Sequence, residues 1–298
     1  MFLGIDIVEA ICSDTTIIMR QRVINYILER KCRNGGFCFY KLEEPNGSDT
    51  YFALAMLDLL GISFMDRATI SYLKAMQYDN GGYNSIQAAF YALKGLTFLH
   101  EKPRHEPAGF LMRHLRSYSI VSENLPTGIT SIFKPMMYLI DLIRSIGCII
   151  DEAARHEVTR LMLHFQNEDK GFGAIQSTLM DTASALIILK SLNYPIEELQ
   201  AGDFVRLCET PLCGFTNIPH TSLSFMEYVH AGIVASVIMS KKPFYFCQCV
   251  DFIKYCQNNS GGFSRAVQGG IATLEDSYYA IHGLTLLSTW KPQLCGED

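Results

Sequence analysis

Two kinds of apolar run alternate along this chain. The first kind is amphipathic: RQRVINYILERKC, MDRATISYLKAMQY, EAARHEVTRLMLHFQ and PFYFCQCVDFIKYCQ carry charged residues on one side. Each is expected to form a helix with that side in water. The second kind is apolar nearly all round and rich in small residues: DTYFALAMLDLL, AAFYALKGLTFL, DTASALIILKSL, EYVHAGIVASVI and DSYYAIHGLTLL. A helix of that composition is buried on all sides. A polar-glycine-aromatic phrase separates the two, and its glycine suits the left-handed close of a helix.

This unit recurs. Gly36, Gly82, Gly171, Gly214 and Gly262 fall about 43–48 residues apart, with one double gap. Aligning Gly147 with Gly61 places a degenerate repeat in that gap. GFLMRHLRSYSI is its outer helix, PTGITSIFKPMMYLIDLIRSIG its inner half, and Gly128 takes the glycine position. The period predicts an all-α fold of about six helical hairpins closed into a ring, an α6/α6 barrel. All-apolar helices stand inside and amphipathic ones outside. His100–Pro107 is the most loop-like connector. Residues 1–298 are expected to form a single domain.

Composition narrows the function. The 298 residues are 49% hydrophobic and 18% charged, as in a globular chain with a large core. Net charge is −5 and no basic run occurs, which excludes nucleic acid as a partner. No uninterrupted apolar stretch reaches the roughly 18–20 residues of a membrane span. The first residues, MFLGIDIVEAICSD, hold Asp6 and Glu9 and lack the basic start of a secretion signal. The ten cysteines lie mostly on apolar faces without a Cys-x-x-Cys pair. They are expected to be buried free thiols, which points to the cytoplasm.

The helix-GGF-(x)n-DTY-helix repeats, from about Gln21 to Leu287, resemble those of protein prenyltransferase β subunits. They also resemble those of squalene-hopene and other class II terpene cyclases. The resemblance implies an α/α toroid enclosing an apolar, aromatic-lined cavity that accepts an isoprenoid or other apolar small molecule. In the transferases it further implies zinc and a helical partner subunit.

Those transferases hold zinc with an Asp-x-Cys pair opening one inner helix and a His opening the next. The matching positions here are Glu227, Val229 and Asp276. His230, one turn beyond Glu227, offers a replacement, so the expected metal set is Glu227, His230 and Asp276, ligand types acceptable to zinc. Where the family places cations for a diphosphate, this chain has TNIPHTSLSFM, with His220 alone. The cyclases protonate with Asp-x-Asp-Asp-Thr-Ala. The corresponding Thr178–Ala183 keeps only Asp181 and puts Met180 at the proton donor's place. Glu275 and Asp276, adjacent in TLEDSY, are the nearest acid pair.

Glu227, Glu275 and Asp276 are therefore the candidate catalytic residues. Asp181, Tyr228, His230, Arg265, Tyr278 and Tyr279 are the candidate substrate contacts. Each has a simpler role available. Asp49, Asp181 and Asp276 precede Thr or Ser at helix starts and suit capping. His230 and His282 suit satisfied core histidines. Among Tyr51, Phe52, Phe90, Tyr91, Tyr138, Tyr228, Tyr278 and Tyr279, neighbours diverge by about 100° around a helix. About half are expected to line a pocket and the rest to be core. Three functions stay open: a prenyltransferase β-subunit-like protein with its site at Glu227, His230 and Asp276, a small cyclase using Glu275 or Asp276 as acid, and a non-catalytic toroid scaffold or lipid-binding module.

Overall fold

A computed structural model describes residues 13–40, 44–120 and 131–290. Gly128, Cys12 and Cys295 lie outside them. Twelve α-helices occur among the described residues. The outer set is α1 (Ser13–Leu28), α3 (Arg67–Ala75), α5 (Ala108–Ile120), α7 (Glu152–His164), α9 (Gly202–Leu207) and α11 (Phe246–Tyr255). The inner set is α2 (Gly47–Leu59), α4 (Ile86–Phe98), α6 (Phe133–Ser145), α8 (Leu179–Ser191), α10 (Met226–Ile238) and α12 (Leu274–Leu287). Each inner helix packs against the next, and α12 returns to α2, so the inner ring is closed. The degenerate repeat is present as α5 and α6. The only strand pair among the described residues, Glu209–Thr210 against Gly214–Phe215, belongs to one glycine turn.

The repeated phrase has a concrete job. In three repeats the aromatic after the glycines, Phe37, Phe172 or Phe263, bridges back to the outer helix end and forward to the next inner helix. Its buried amide donates to the hydroxyl of Thr50, Thr182 or Ser277 at 3.0, 2.9 and 2.9 Å. Burying that amide without a partner would be costly, so the Asp-Thr/Ser pair must follow the glycines in each of these repeats.

Capping falls one turn earlier than expected. Asn46, Thr178 and Thr273 are the N-cap residues, accepting from the amides of Asp49, Asp181 and Asp276 at 2.7, 3.1 and 2.9 Å. The three aspartates sit at the third helical position, as the acid of a capping box does. The Asp49 and Asp181 carboxylates reach other elements, accepting from the Phe39 amide and the Ser131 hydroxyl at 2.9 and 2.8 Å, whereas Asp276 accepts from the hydroxyl of its own cap, Thr273.

Among the described residues the glycine turns at Gly35, Gly82, Gly171 and Gly214 dock on the following outer helix, and that at Gly261 docks on the first. At Gly261 φ is +92°, and a Cβ there would lie 2.3 Å from the Arg22 carbonyl oxygen of α1. Beside it, a Cβ on Gly262 would meet the Tyr26 ring at 2.4 Å. The Tyr26 hydroxyl donates to the Ala272 carbonyl at 2.7 Å. This seam joins residues 246 apart in sequence and shuts the ring. Among the described residues seven cysteines are free. Cys247 departs from the free-thiol expectation, being disulfide-bonded.

Candidate functional site

The inward face of each inner helix is read off at helical spacing. On α6 it is Lys134, Met137, Tyr138 and Asp141; on α10 it is Glu227, His230, Ala231 and Val234. With Tyr51, Phe52 and Phe90 from α2 and α4, and Tyr278, Tyr279 and His282 from α12, they enclose a central bore of about 510 Å³. Small residues on α8 and α10 leave this space: Ala183, Ser184 and Ala231 line it. Met137 also lines it, whereas Met136 and Met226 are fully buried in the ring wall.

Rings dominate one side of the bore. Phe90 stacks on Tyr138 at 4.0 Å between centroids, and Tyr51 lies 5.1 Å from Phe90 and 6.0 Å from Tyr278. The expected alternation of lining and core holds only in part. Phe52 lines the bore beside Tyr51, and Tyr279 beside Tyr278, because each pair straddles its helix's inward direction. Tyr228 does not line it and lies 5.3 Å from Phe225 instead.

The polar end of the bore opens into a second chamber of about 510 Å³ at the starts of the inner helices. Asp49, Glu227, Glu275 and Asp276 line this rim, with Lys134 and Arg265. Both cations are engaged. Arg265 holds Oε1 of Glu227 through Nε at 2.9 Å and through a terminal nitrogen, and lies 3.9 Å over the Phe225 ring. Lys134 Nζ is 3.5 Å from Glu275, whose Oε1 accepts from the Tyr279 hydroxyl at 2.7 Å. Asp276 accepts from the Thr273 hydroxyl at 2.6 Å. Burial pushes its carboxyl up to about 6, and the nearby Glu227 and Glu275 carboxylates add to the shift.

The structure thus gathers Glu227, Glu275, Asp276 and Arg265 at the rim, and His230, Tyr278 and Tyr279 in the bore. Asp181 joins neither group. Its carboxylate accepts from the Ser131 hydroxyl at 2.8 Å and ties the start of α8 to that of α6. His230 turns away from Glu227 toward His282, with His230 Nε2 2.8 Å from His282 Nδ1. The expected zinc ligands are therefore dispersed: Glu227 binds Arg265, His230 binds His282, and Asp276 binds Thr273. Among the described residues no three His, Cys, Asp or Glu side chains group to hold a metal ion. The residues present do not fit zinc, for want of the thiolate at Val229 and because each replacement already has another partner.

Lys134 and the ion pair between Lys94 and Asp141, at 2.9 Å, were not singled out as site residues from the sequence. Their signal was available: each is a charge on an otherwise apolar inner helix.

A family model described as the prenyltransferase alpha-alpha toroid domain matches residues 5–85 and 108–294. Among solved structures, Candida albicans protein geranylgeranyltransferase-I complexed with GGPP superposes with a TM-score of 0.62 at 16% identity, covering 91% of this chain and 92% of that one. A protein from Actinoplanes gives a TM-score of 0.56 at 17% identity, covering 91% and 98%. No curated protein matches the chain. At these identities the structural likeness concerns the fold.

Proposed function

We propose that this chain, which belongs to the prenyltransferase alpha-alpha toroid family, holds an isoprenoid chain in its central bore as a prenyltransferase β-subunit-like protein. The observation that carries the reading is the aromatic-lined bore opening at one end onto a charged rim. Its volume lies within the roughly 300–1,000 Å³ of pockets that take small ligands. Tyr and Phe faces suit the branched, unsaturated units of an isoprenoid, and they also favour positive charge developing beside them. The Candida albicans relative was solved with GGPP, a ligand of this class.

In this reading the side chains divide the work. Tyr51, Phe52, Phe90, Tyr138 and Tyr278 contact the hydrocarbon and exclude water. Lys134 and Arg265 face whatever head group reaches the rim, and Glu227 and Glu275 compete for them. Zinc has no part in the proposal, since its ligands do not assemble. A helical partner subunit, as the β-subunit likeness implies, would supply what the rim lacks. Calorimetric titration with farnesyl and geranylgeranyl compounds tests the reading. Saturable binding at micromolar concentration or below is expected, and no saturation with any of them would overturn it.

One observation favours a second reading, a cyclase-like enzyme with Asp276 as acid. A carboxyl raised to about 6 keeps an appreciable protonated fraction near neutral pH. Asp276 lines the rim chamber and not the aromatic bore, so the ligand's reacting bond would have to lie at the mouth. Cyclised product that disappears in Asp276→Asn would select this reading.

A further inference from the structure

Most polar side chains in the bore wall already have a partner. Ser184 donates to the Met180 carbonyl at 2.9 Å, Tyr279 donates to Glu275, and Lys94 pairs with Asp141. Lys134 and Glu227 are held in ion pairs. His230 and His282 differ. Both line the bore, one turn and two turns deeper than Glu227 and Glu275 respectively. Among the described residues the only hydrogen bond either imidazole makes is to the other. Two outward nitrogens, His230 Nδ1 and His282 Nε2, remain unspent. The rings are fixed, since Tyr278 stacks on His282 at 5.4 Å and 20°, and Tyr279 lies 4.8 Å from His230.

Proton counting defines what the pair offers. Burial holds His230 well below the ordinary histidine range, with His282 adding to the effect, and burial takes His282 down to about 4. Both rings are neutral at pH 7 and share two protons among four nitrogens. One proton lies in the bond between the rings. The other must then sit on the outward nitrogen of the accepting ring, while the outward nitrogen of the donating ring keeps its lone pair. Whichever ring donates, the bore is shown one donor and one acceptor, both uncharged.

We propose that the His230–His282 pair recognises an uncharged hydroxyl group, so that the isoprenoid held in the bore is an alcohol with its oxygen at the depth of the pair. This rests on the isoprenoid reading above and names the ligand class within it. A pure hydrocarbon would strip water from both nitrogens and replace none of its hydrogen bonds, at about 1–3 kcal/mol for each polar group left bare. A carbonyl satisfies only the donor. A hydroxyl both donates and accepts, so it meets either nitrogen in either tautomer. A diphosphate gains no charge from this pair and must also pass the four rim carboxylates.

The test is a calorimetric titration of the intact chain with three ligands: farnesol, the hydrocarbon in which hydrogen replaces its hydroxyl, and farnesyl diphosphate. Side-chain nitrogen spectra of the two histidines accompany it. Farnesol is expected to bind at least about tenfold more tightly than the hydrocarbon and to shift the imidazole nitrogens, which the hydrocarbon leaves unmoved. His282→Phe keeps a ring of similar size and should bring farnesol down to the hydrocarbon's affinity. Equal affinity of alcohol and hydrocarbon in the unaltered protein overturns the hydroxyl site and leaves the isoprenoid reading standing, as does tighter binding of the diphosphate than of the alcohol. Binding of none of the three overturns the isoprenoid reading itself. The comparison in unaltered protein does not depend on the variant folding.

Discussion

Arg265 is held by Glu227 through two of its nitrogens, on a chamber that also holds Asp49, Glu275 and Asp276. Arg265 extends from the last glycine turn and Glu227 opens α10, so the pair clamps one turn of the ring to the neighbouring inner helix. The Met226 amide donates to the Arg265 carbonyl at 2.8 Å in the same clamp. The cation best placed for an anionic head group is thereby neutralised by an acid of the same rim.

Glu227→Gln should release Arg265 from this competition. Affinity for farnesyl diphosphate is expected to rise about fivefold, close to 1 kcal/mol, with little change for farnesol. Parallel titrations of the two ligands check it, and an unchanged diphosphate affinity would contradict the neutralised-cation account. The gain should shrink in high salt, because Arg265 is more than half exposed.

Asp276 should make the fold lose stability as the pH rises from acid to neutral. Its folded-state carboxyl sits near 6, against about 3.9 for an unfolded aspartate. Between those values the folded chain binds more protons than the unfolded one, so the contribution is present below about pH 4 and lost as pH rises through 6. The loss is on the order of 2–3 kcal/mol at most. Asp276→Asn can still accept from Thr273. It should therefore melt higher than the parent at pH 8 and level with it at pH 4. Melting curves across that range decide the matter; a constant difference would count against it.

The histidine pair acts in the opposite direction. Its folded-state values are depressed, so its contribution is present above about 6.5 and is lost as pH falls toward the value of about 4 at His282. This window overlaps that of Asp276 with opposite sign, so in His282→Phe the melting temperature at neutral pH should drop relative to that at acid pH, compared with the same difference in the parent. An unaltered difference between neutral and acid pH in the variant would show that the pair is already charged or solvated.

Ser277 supplies the hydroxyl for the Phe263 amide, and both residues are fully buried. Ser277→Ala leaves that amide bare and should cost about 1–3 kcal/mol, while Ser277→Thr restores the oxygen, as in the Thr50 and Thr182 repeats. A lower denaturation midpoint for Ala than for Thr is the expected result of chemical unfolding. Equal midpoints would mean that the amide finds another partner.

Much of this structure could be read from residue order. The alternation of amphipathic and all-apolar runs placed inner and outer helices correctly, including the degenerate α5–α6 repeat, because burial demand is written locally in each helix. The gathering of Glu227, Glu275 and Asp276 at one rim follows too, since each opens an inner helix of the same ring. Side-chain orientation was less legible. Asp181 occupies the same motif position as Asp276, yet it turns to Ser131, a residue of the preceding repeat brought near by the packing of α6 on α8. His230 stands one turn from Glu227 in sequence, but His282, 52 residues away, lies closer to its ring nitrogen. Lys134 is a rim cation because α6 faces α12 across the ring, where its ammonium reaches Glu275. Pairings between helices are set by the ring's rotation about each helix axis, and no single repeat encodes that.

In the proposed function the bore itself holds the isoprenoid. Ser184 lines the bore on α8, and its hydroxyl bonds only to its own helix, so Ser184→Phe fills the space without touching the rim. Calorimetric titration of farnesol into parent and variant, with melting curves to establish that both are folded, is the direct measurement. Saturable binding to the parent that disappears in a folded Ser184→Phe protein is the predicted result. Equal binding by both proteins would contradict the account and place the ligand elsewhere on the molecule.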